Sequence, residues 1–297
     1  MKGQTKLIFA MLIFGSIGLF VKNIELASSE IALLRGIIGC IFLLVASFVV
    51  KQTISLSTIK RNILLLSLSG GAIGFNWIFL FEAYRYTTIA NATISYYFAP
   101  IFVMILAPIV LKEKLTLVKI SSILTAMFGL LLIVQNGGTT VSSFNHPVGI
   151  FYGLVAAVLY ASVILMNKFI KGLSGFETTL IQLGAASVVL LPYVYIKEEI
   201  NFAVLDGQSF IFVTILGIVH TGFAYYLYFS AIKALKGQTI AVLSYIDLIF
   251  AMVISGVFLQ ENISMIQILG GILVLGATFM SEKIGKNKTV EGNTIGN

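Results

Sequence analysis

Apolar residues dominate the chain in long stretches, and polar residues gather in the short segments between them. A helix that crosses a membrane needs about 20 mostly apolar residues. Ten stretches reach or approach that length: residues 5–22, 30–50, 62–82, 88–111, 116–135, 147–170, 174–196, 209–232, 239–259 and 264–282. The pattern therefore predicts an all-α integral membrane protein with ten transmembrane helices.

The composition agrees with this prediction. Hydrophobic residues make up 58% of the 297 residues and charged residues only 10%, whereas a soluble domain carries about a quarter charged residues. One or two soluble cores would not hide this much apolar surface, so lipid is the expected solvent. Only the connections near residues 135–147 and 197–209 are long, which leaves no room for a soluble domain.

The positive charges predict the topology. Loops rich in Lys and Arg stay cytoplasmic, and with a cytoplasmic N-terminus the basic residues of the inner segments are Lys2, Lys6, Lys51, Lys60, Arg61, Lys112, Lys114, Lys119, Lys168, Lys171, Lys233, Lys236, Lys283, Lys286 and Lys288. The outer segments hold only Lys22, Arg85 and Lys197. This asymmetry predicts both termini in the cytoplasm of a cell-membrane protein. The scattered charges form no basic stripe, so no nucleic-acid partner is expected.

Several other features narrow the class of protein. The basic, apolar start resembles a cleaved signal peptide, but no small-x-small site closely follows it, so we expect it to be the first helix. Cys40 is the only cysteine, which excludes an intrachain disulfide and a cysteine-based zinc cage. With only His146 and His220 as histidines, neither a metal nor another cofactor is expected.

The chain contains an internal repeat. Residues 74–116 align with residues 222–264 without a gap, and the alignment pairs Gly74 with Gly222, Tyr97 with Tyr245 and Glu113 with Glu261. A second block pairs Glu30 with Glu177 and Arg35 with Gln182.

Each repeat holds five predicted spans. Because five is odd, the second copy enters the membrane in the opposite sense, which predicts two inverted five-helix repeats with a binding site near the midplane. We expect the first repeat over residues 1–138, the second over 139–285, and a disordered cytoplasmic tail over 286–297. This architecture is typical of a secondary transporter.

The order of several motifs resembles the EamA family of the drug/metabolite transporter superfamily. These motifs are "LLRGIIG" in the second span, "EAYRYTTIANATI" and "FSAIKALKGQTIAV" between spans, "APIF" in the fourth, and the glutamates of "LKEKLT" and "LQENIS". The resemblance covers nearly the whole chain and implies export of amino acids, other small metabolites or drugs. One departure is Asp247-Leu248, where the family often has Glu-Pro, so we expect no proline kink in the ninth span.

Three ionisable residues lie inside predicted spans and away from the span ends: Arg35, His220 and Asp247. Such residues are costly in a bilayer unless they face a cavity or a partner. Arg35 and Asp247 would suit the two ends of an amphoteric solute. Structural alternatives are that Arg35 reaches the outer interface or binds Glu30, and that Asp247 caps a discontinuous helix or bonds Ser244. His220 either carries a coupling proton or bridges two helices.

Polar and aromatic residues supply further candidates for a substrate site. Asn76, Trp77 and Tyr225 lie at related positions of the two repeats. Tyr96 and Tyr97 in the fourth span and Tyr245 in the ninth are further candidates to bind the substrate. Helix packing or an interfacial belt is the alternative for these aromatic residues. Pro100 and Pro108 are the predicted hinges, because each removes a backbone donor.

Three acidic residues are expected to be structural. Glu82 and Arg85 would form an interfacial pair at the end of the third span. Glu113 and Glu261 would begin the fifth and tenth spans, where a carboxylate favours the positive end of the helix dipole.

The sequence thus favours a secondary transporter that moves a small metabolite by alternating access. It contains no nucleotide-binding G-x-x-x-x-G-K-[ST] motif and no H-E-x-x-H or G-x-S-x-G motif. Efflux of cationic drugs is an alternative substrate class, while an intramembrane enzyme, a lipid-handling protein and a channel are alternatives of other classes. The expected partners are a small solute, the bilayer and protons, for a monomer or a homodimer.

Overall fold

The structure is a computed structural model, and it describes residues 2–21, 23–49, 51, 55–87, 89–134, 145–197, 206–258, 264–266 and 268–277. Within these residues all regular structure is helical. The α-helices are α1 (Gly3–Gly15), α2 (Ile17–Val21), α3 (Ser28–Val49), α4 (Leu56–Tyr86), α5 (Ile89–Tyr96), α6 (Ala99–Leu111), α7 (Leu117–Val134), α8 (His146–Phe169), α9 (Gly175–Lys197), α10 (Gly207–Ile215), α11 (Ala224–Ala234), α12 (Gly237–Leu243), α13 (Ile246–Phe258) and α14 (Ile268–Ala277). A π-helix over Leu216–Phe223 joins α10 to α11.

Six helical segments of the described chain are long and apolar enough to cross a membrane: Gly3–Val21, Ser28–Val49, Leu56–Tyr86, His146–Phe169, Gly175–Lys197 and Gly207–Ala234. Shorter apolar helices occupy the other four predicted spans. The fourth and ninth spans are each divided between two helices, and the fifth and tenth border residues outside the described ranges. The protein is therefore a multi-pass, helical membrane protein, while the count of ten remains a prediction. The predicted tail, 286–297, also lies outside the described residues.

Glycines allow α4 to pack tightly against α9. A Cβ atom at Gly70 would lie 2.6 Å from the Cβ of Ala185, and one at Gly74 would lie 2.9 Å from the Cβ of Val189. The four-residue spacing of small residues has the same effect in other membrane helices, since it lets two backbones approach. These contacts place α4 centrally, between α8 and α9.

The π-helix interrupts a span that the sequence predicts as a regular helix. It packs against α3 at Gly39, where an added Cβ would lie 3.0 Å from the carbonyl oxygen of Gly217 and 3.1 Å from the backbone nitrogen of Gly222. A π-turn is an insertion in an α-helix that often marks a functional site. The glycines on both sides let α3 approach the widened turn.

Glu113 caps the start of a different helix from the one predicted. Its carboxylate accepts hydrogen bonds from the backbone N–H groups of Gly237 at 2.7 Å and Gln238 at 3.3 Å, at the start of α12. The prediction that Glu113 begins the fifth span is wrong, because α7 starts only at Leu117. The first N–H groups of a helix lack intrahelical partners, and Glu113 supplies them for α12. Glu261 lies outside the described residues.

Other buried polar contacts fasten the same end of the bundle. The Glu177 carboxylate accepts hydrogen bonds from the backbone N–H groups of Ser174 at 2.8 Å and Ser55 at 3.0 Å. The Lys233 ammonium donates to the carbonyl of Leu173 at 2.6 Å. We call this end of the bundle, which also holds Glu113, the closed end.

Candidate functional site

Two short breaks interrupt helices in the middle of the bundle. Tyr97 and Phe98 separate α5 from α6, and Ser244 and Tyr245 separate α12 from α13. Pro100 lies in the first turn of α6, where its missing N–H costs nothing. The second break occurs without a proline, and Asp247 lies in the first turn of the helix that follows it. The ninth span is thus discontinuous although it has no proline kink.

A cavity of about 310 Å³ lies against both breaks. Its wall runs from Ser244 and Asp247 to Val21, Ser28 and Tyr84, which lie at the ends of helices. We call that end of the bundle the mouth end. None of the residues that fasten the closed end contributes to the wall. The cavity is therefore a pocket that starts at the mouth end and stops in the middle of the protein.

Aromatic side chains form much of the wall. They are Phe14, Trp77, Phe81, Tyr84, Tyr96, Tyr97, Tyr160 and Tyr225. Trp77 and Tyr225 meet edge to face with ring centroids 6.2 Å apart. At the bottom of the pocket the Tyr160 hydroxyl donates to the Tyr228 hydroxyl at 2.6 Å, and the two rings stack 6.2 Å apart. The wall is thus apolar over most of its area, with hydroxyl groups at a few points.

Arg35 brings a positive charge to the wall. Its guanidinium carbon lies 4.4 Å from the centroid of the Trp77 ring, which is cation–π geometry. Its Nε is buried and has no hydrogen-bond partner among the described residues. Glu30, the structural partner considered for Arg35, accepts a hydrogen bond from the backbone N–H of Ala27 at 2.9 Å.

Asp247 brings a negative charge to the same wall. It lies in the first turn of α13, where Oδ1 accepts the backbone N–H of Leu248 at 2.6 Å, and the Tyr97 hydroxyl is hydrogen-bonded to its carboxylate. The Ser244 hydroxyl donates to the carbonyl of Ile240 at 2.8 Å. Of the two structural alternatives, the capping role is therefore present, and the carboxylate faces the cavity as well.

Arg35 and Asp247 share the cavity without forming an ion pair. In the described part of the chain, an ion pair joins Arg85 to Glu82 at 3.4 Å, near the mouth end. That pair was expected, and Tyr193 adds a hydrogen bond from its hydroxyl to Glu82 at 2.5 Å. Because Arg35 and Asp247 do not neutralise each other, both charges face the space that a solute would enter.

Seven of the predicted residues line the cavity together, and four do not. The seven are Arg35, Trp77, Tyr96, Tyr97, Pro100, Tyr225 and Asp247. Asn76 donates to the carbonyl of Ala156 at 2.6 Å and so joins α4 to α8. Tyr245 is fully buried, stacks on Tyr97 and donates to its carbonyl at 3.2 Å. Pro108 lies inside α6, away from the wall.

His220 also lies outside the wall. It is buried in the π-helix, its Nε2 is 3.0 Å from the Ser16 hydroxyl, and its ring meets Phe20 edge to face at 4.9 Å. Ser16 marks the break between α1 and α2. The imidazole therefore bridges two helices, as the structural alternative proposed.

The sequence reasoning missed several wall residues, among them Phe14, Ser28, Tyr84 and Tyr160. Tyr160 carries a hydroxyl in the middle of the apolar stretch "VAAVLYASVIL", a signal that could have singled it out. Phe14 and Tyr84 offered no comparable signal, because aromatic residues are common in membrane helices and only the packing decides which of them face a cavity.

Comparison with known proteins agrees with the geometry. The model of the EamA-like transporter family matches residues 1–135 and 147–282. The uncharacterized transporter YxxF of Bacillus subtilis (strain 168) is 31% identical over 98% of this chain and 93% of its own length. Solute carrier family 35 member G1 of Mus musculus is 24% identical over 90% of this chain and 74% of its own length. A crystal structure with 16% identity superposes with a TM-score of 0.84, covering 96% of this chain and 98% of the other, and so shares its fold.

A multi-pass helical membrane protein with a cavity between its helices fits the transporter class to which the matching family and relatives belong. The chain belongs to the EamA-like transporter family.

Proposed function

We propose that the chain is a secondary transporter that exports a small amphoteric metabolite, such as an amino acid, by alternating access. The observation that carries this proposal is the placement of Arg35 and Asp247 on one cavity wall without an ion pair between them. A carboxylate on the solute would replace the missing partner of the Arg35 guanidinium, and an ammonium would replace that of Asp247. The aromatic wall suits the apolar part of such a solute.

The repeat supports the alternating-access part of the proposal. Two inverted copies would let the cavity open at the mouth end in one state and at the closed end in the other. With the N-terminus in the cytoplasm of a cell-membrane protein, the mouth end would face outward. Asp247 is the group in the cavity that could carry a coupling proton, whereas His220 lies outside it.

Counterflow in liposomes tests the proposal. Purified protein is reconstituted with a mixture of unlabelled amino acids inside, and uptake of the same radiolabelled amino acids is followed. A carrier exchanges labelled for unlabelled solute, and uptake should vanish when the internal amino acids are omitted. No exchange for any amino acid would reject this substrate class, and a thermal-shift screen of nucleobases and cationic drugs would then be the next measurement.

Efflux of cationic compounds is a second candidate. Asp247 beside an aromatic wall favours it, because aromatic faces and a carboxylate both attract cations. Arg35 separates the two candidates, since a solute that bears only positive charge gains nothing from a guanidinium. Transport that survives Arg35→Met would favour the cationic class over the amphoteric class.

A further inference from the structure

The repeat sorts the residues of the cavity wall into two groups. Residues of α4–α6 align with those of α11–α13, and residues of α3 align with those of α9. In addition, "FGSIGLFVK" (14–22) aligns with "YASVILMNK" (160–168). In four pairs both members line the cavity: Phe14 with Tyr160, Trp77 with Tyr225, Tyr96 with Ser244, and Ala99 with Asp247. A two-fold axis brings such pairs together, so they mark the centre of the solute path.

The wall residues of α3, nearer the mouth, have partners that are buried. Ser28, Ile31, Ala32 and Arg35 line the cavity, and the repeat pairs them with Gly175, Thr178, Thr179 and Gln182 of α9. Thr178, Thr179 and Gln182 are all 0% exposed. The same holds for Val21 of α2, which lines the cavity while its partner Asn167 is 0% exposed.

The buried partners carry more polar groups than their lining counterparts on the mouth side. Gln182 donates through Nε2 to the Ser69 hydroxyl, and to Asn167 Oδ1 at 3.3 Å. Its Oε1 is buried without a hydrogen-bond partner among the described residues, as is Nε of its repeat partner Arg35. Thr178, Thr179 and Asn167 donate to carbonyls four residues earlier in the chain. An unsatisfied buried polar atom lowers stability, so packing in the present state does not explain the Gln182 amide.

We propose that Thr178, Thr179, Gln182 and Asn167 form a second solute site, which binds the hydrogen-bonding end of the solute when the cavity opens at the closed end. The inference rests on the proposed alternating access. The Lys233 ammonium donates to the Thr178 hydroxyl at 2.8 Å, so a positive charge borders this site as Arg35 borders the mouth side of the cavity. Both sides therefore combine uncharged polar groups with one cation, which suits the anionic end of the solute.

Cysteine accessibility tests the site. Thr178→Cys, Thr179→Cys and Gln182→Cys are made in a Cys40→Ala background and treated with a membrane-impermeant trimethylammonium methanethiosulfonate in right-side-out and inside-out vesicles. All three should react at least about tenfold faster from the closed-end face, because the minor conformation that exposes them opens the cavity to that face only. An unlabelled amino-acid mixture on that face should slow the reaction severalfold.

Ser187→Cys is the matched control. Ser187 lies on α9 and is 9% exposed, and its repeat partner, Cys40, is not on the cavity wall. It should stay unreactive from both faces, so equal labelling of Ser187→Cys would overturn the proposal by showing general loosening of α9.

The outcomes separate this inference from the proposed function. Counterflow without labelling of the three positions overturns the second site alone. If the three cysteines react but amino acids do not slow the reaction, the residues line a path without binding solute, and the second site is also overturned. Loss of both labelling and counterflow overturns the site together with the proposed carrier.

Discussion

The guanidinium carbon of Arg35 lies 4.4 Å from the ring centroid of Trp77, and both residues line the cavity. Trp77 is the only tryptophan of the chain. Its fluorescence therefore reports directly on the residue that we expect to bind the anionic end of the solute.

Arg35→Met should weaken binding of an amphoteric solute by about ten- to a hundredfold, since a hydrogen bond to a charged group is worth about 1.5–3 kcal/mol. Arg35→Lys keeps the charge but loses the planar fork, so its affinity for the solute should lie between those of the unchanged protein and Arg35→Met. Titration of Trp77 fluorescence with the amino acids active in counterflow measures the affinity. Equal affinity in all three proteins would remove Arg35 from the site.

Asp247→Asn should abolish transport while leaving membrane insertion intact, because the amide keeps the shape of the carboxylate and loses its charge. Counterflow measures transport, and detergent extraction followed by size-exclusion chromatography measures folding. Asp206→Asn is the control, since Asp206 caps α10 through the backbone N–H of Ser209, outside the cavity. Normal transport by Asp247→Asn would show that the carboxylate is only a helix cap.

Gly15→Ala should lower transport, because an added Cβ would overlap the carbonyl oxygen of Asp247 and crowd Phe250. Gly18→Ala is matched to it by chemistry and position, and no atom lies within 4 Å of the Cβ it would add. Ala is favoured over Gly in helices by roughly 0.5–1 kcal/mol, so Gly18→Ala should be neutral or slightly stabilising. Counterflow and thermal melting of both variants check this, and equal behaviour would contradict the close packing of α1 on α13.

Glu113→Ala should lower the melting temperature, because the first N–H groups of α12 lose their acceptor, a change that costs about 0.5–2 kcal/mol at other helix starts. Glu25→Ala is the control, since Glu25 is an exposed acid in the connection between α2 and α3. Thermal unfolding followed by size-exclusion chromatography compares the two. A Glu113→Ala protein as stable as Glu25→Ala would mean that Glu113 does not hold the closed end.

The fold class followed from the sequence because lipid imposes a simple rule: a spanning segment needs a long apolar run, and such runs are legible residue by residue. The break at Ser244 and Tyr245 was less accessible. The sequence indicated only that this span lacks a proline kink. The two breaks lie against each other, since the Tyr245 hydroxyl donates to the Tyr97 carbonyl, and that contact joins residues far apart in the chain.

The candidate site divides in the same way. Arg35 and Asp247 were identifiable because a charge in an apolar span is expensive and needs a reason. Phe14 and Tyr84 were not, because nothing in the sequence shows which side of an apolar helix meets a cavity.

By itself, the sequence determined the membrane solvent, the helical class, the repeat and the two buried charges, since each depends on composition or spacing along the chain. Only the tertiary structure decided that Arg35 and Asp247 share one cavity, that His220 and Asn76 lie outside it, and that Glu113 caps α12. Those facts depend on contacts between residues far apart in the chain, and the local sequence pattern does not determine which distant residues come into contact.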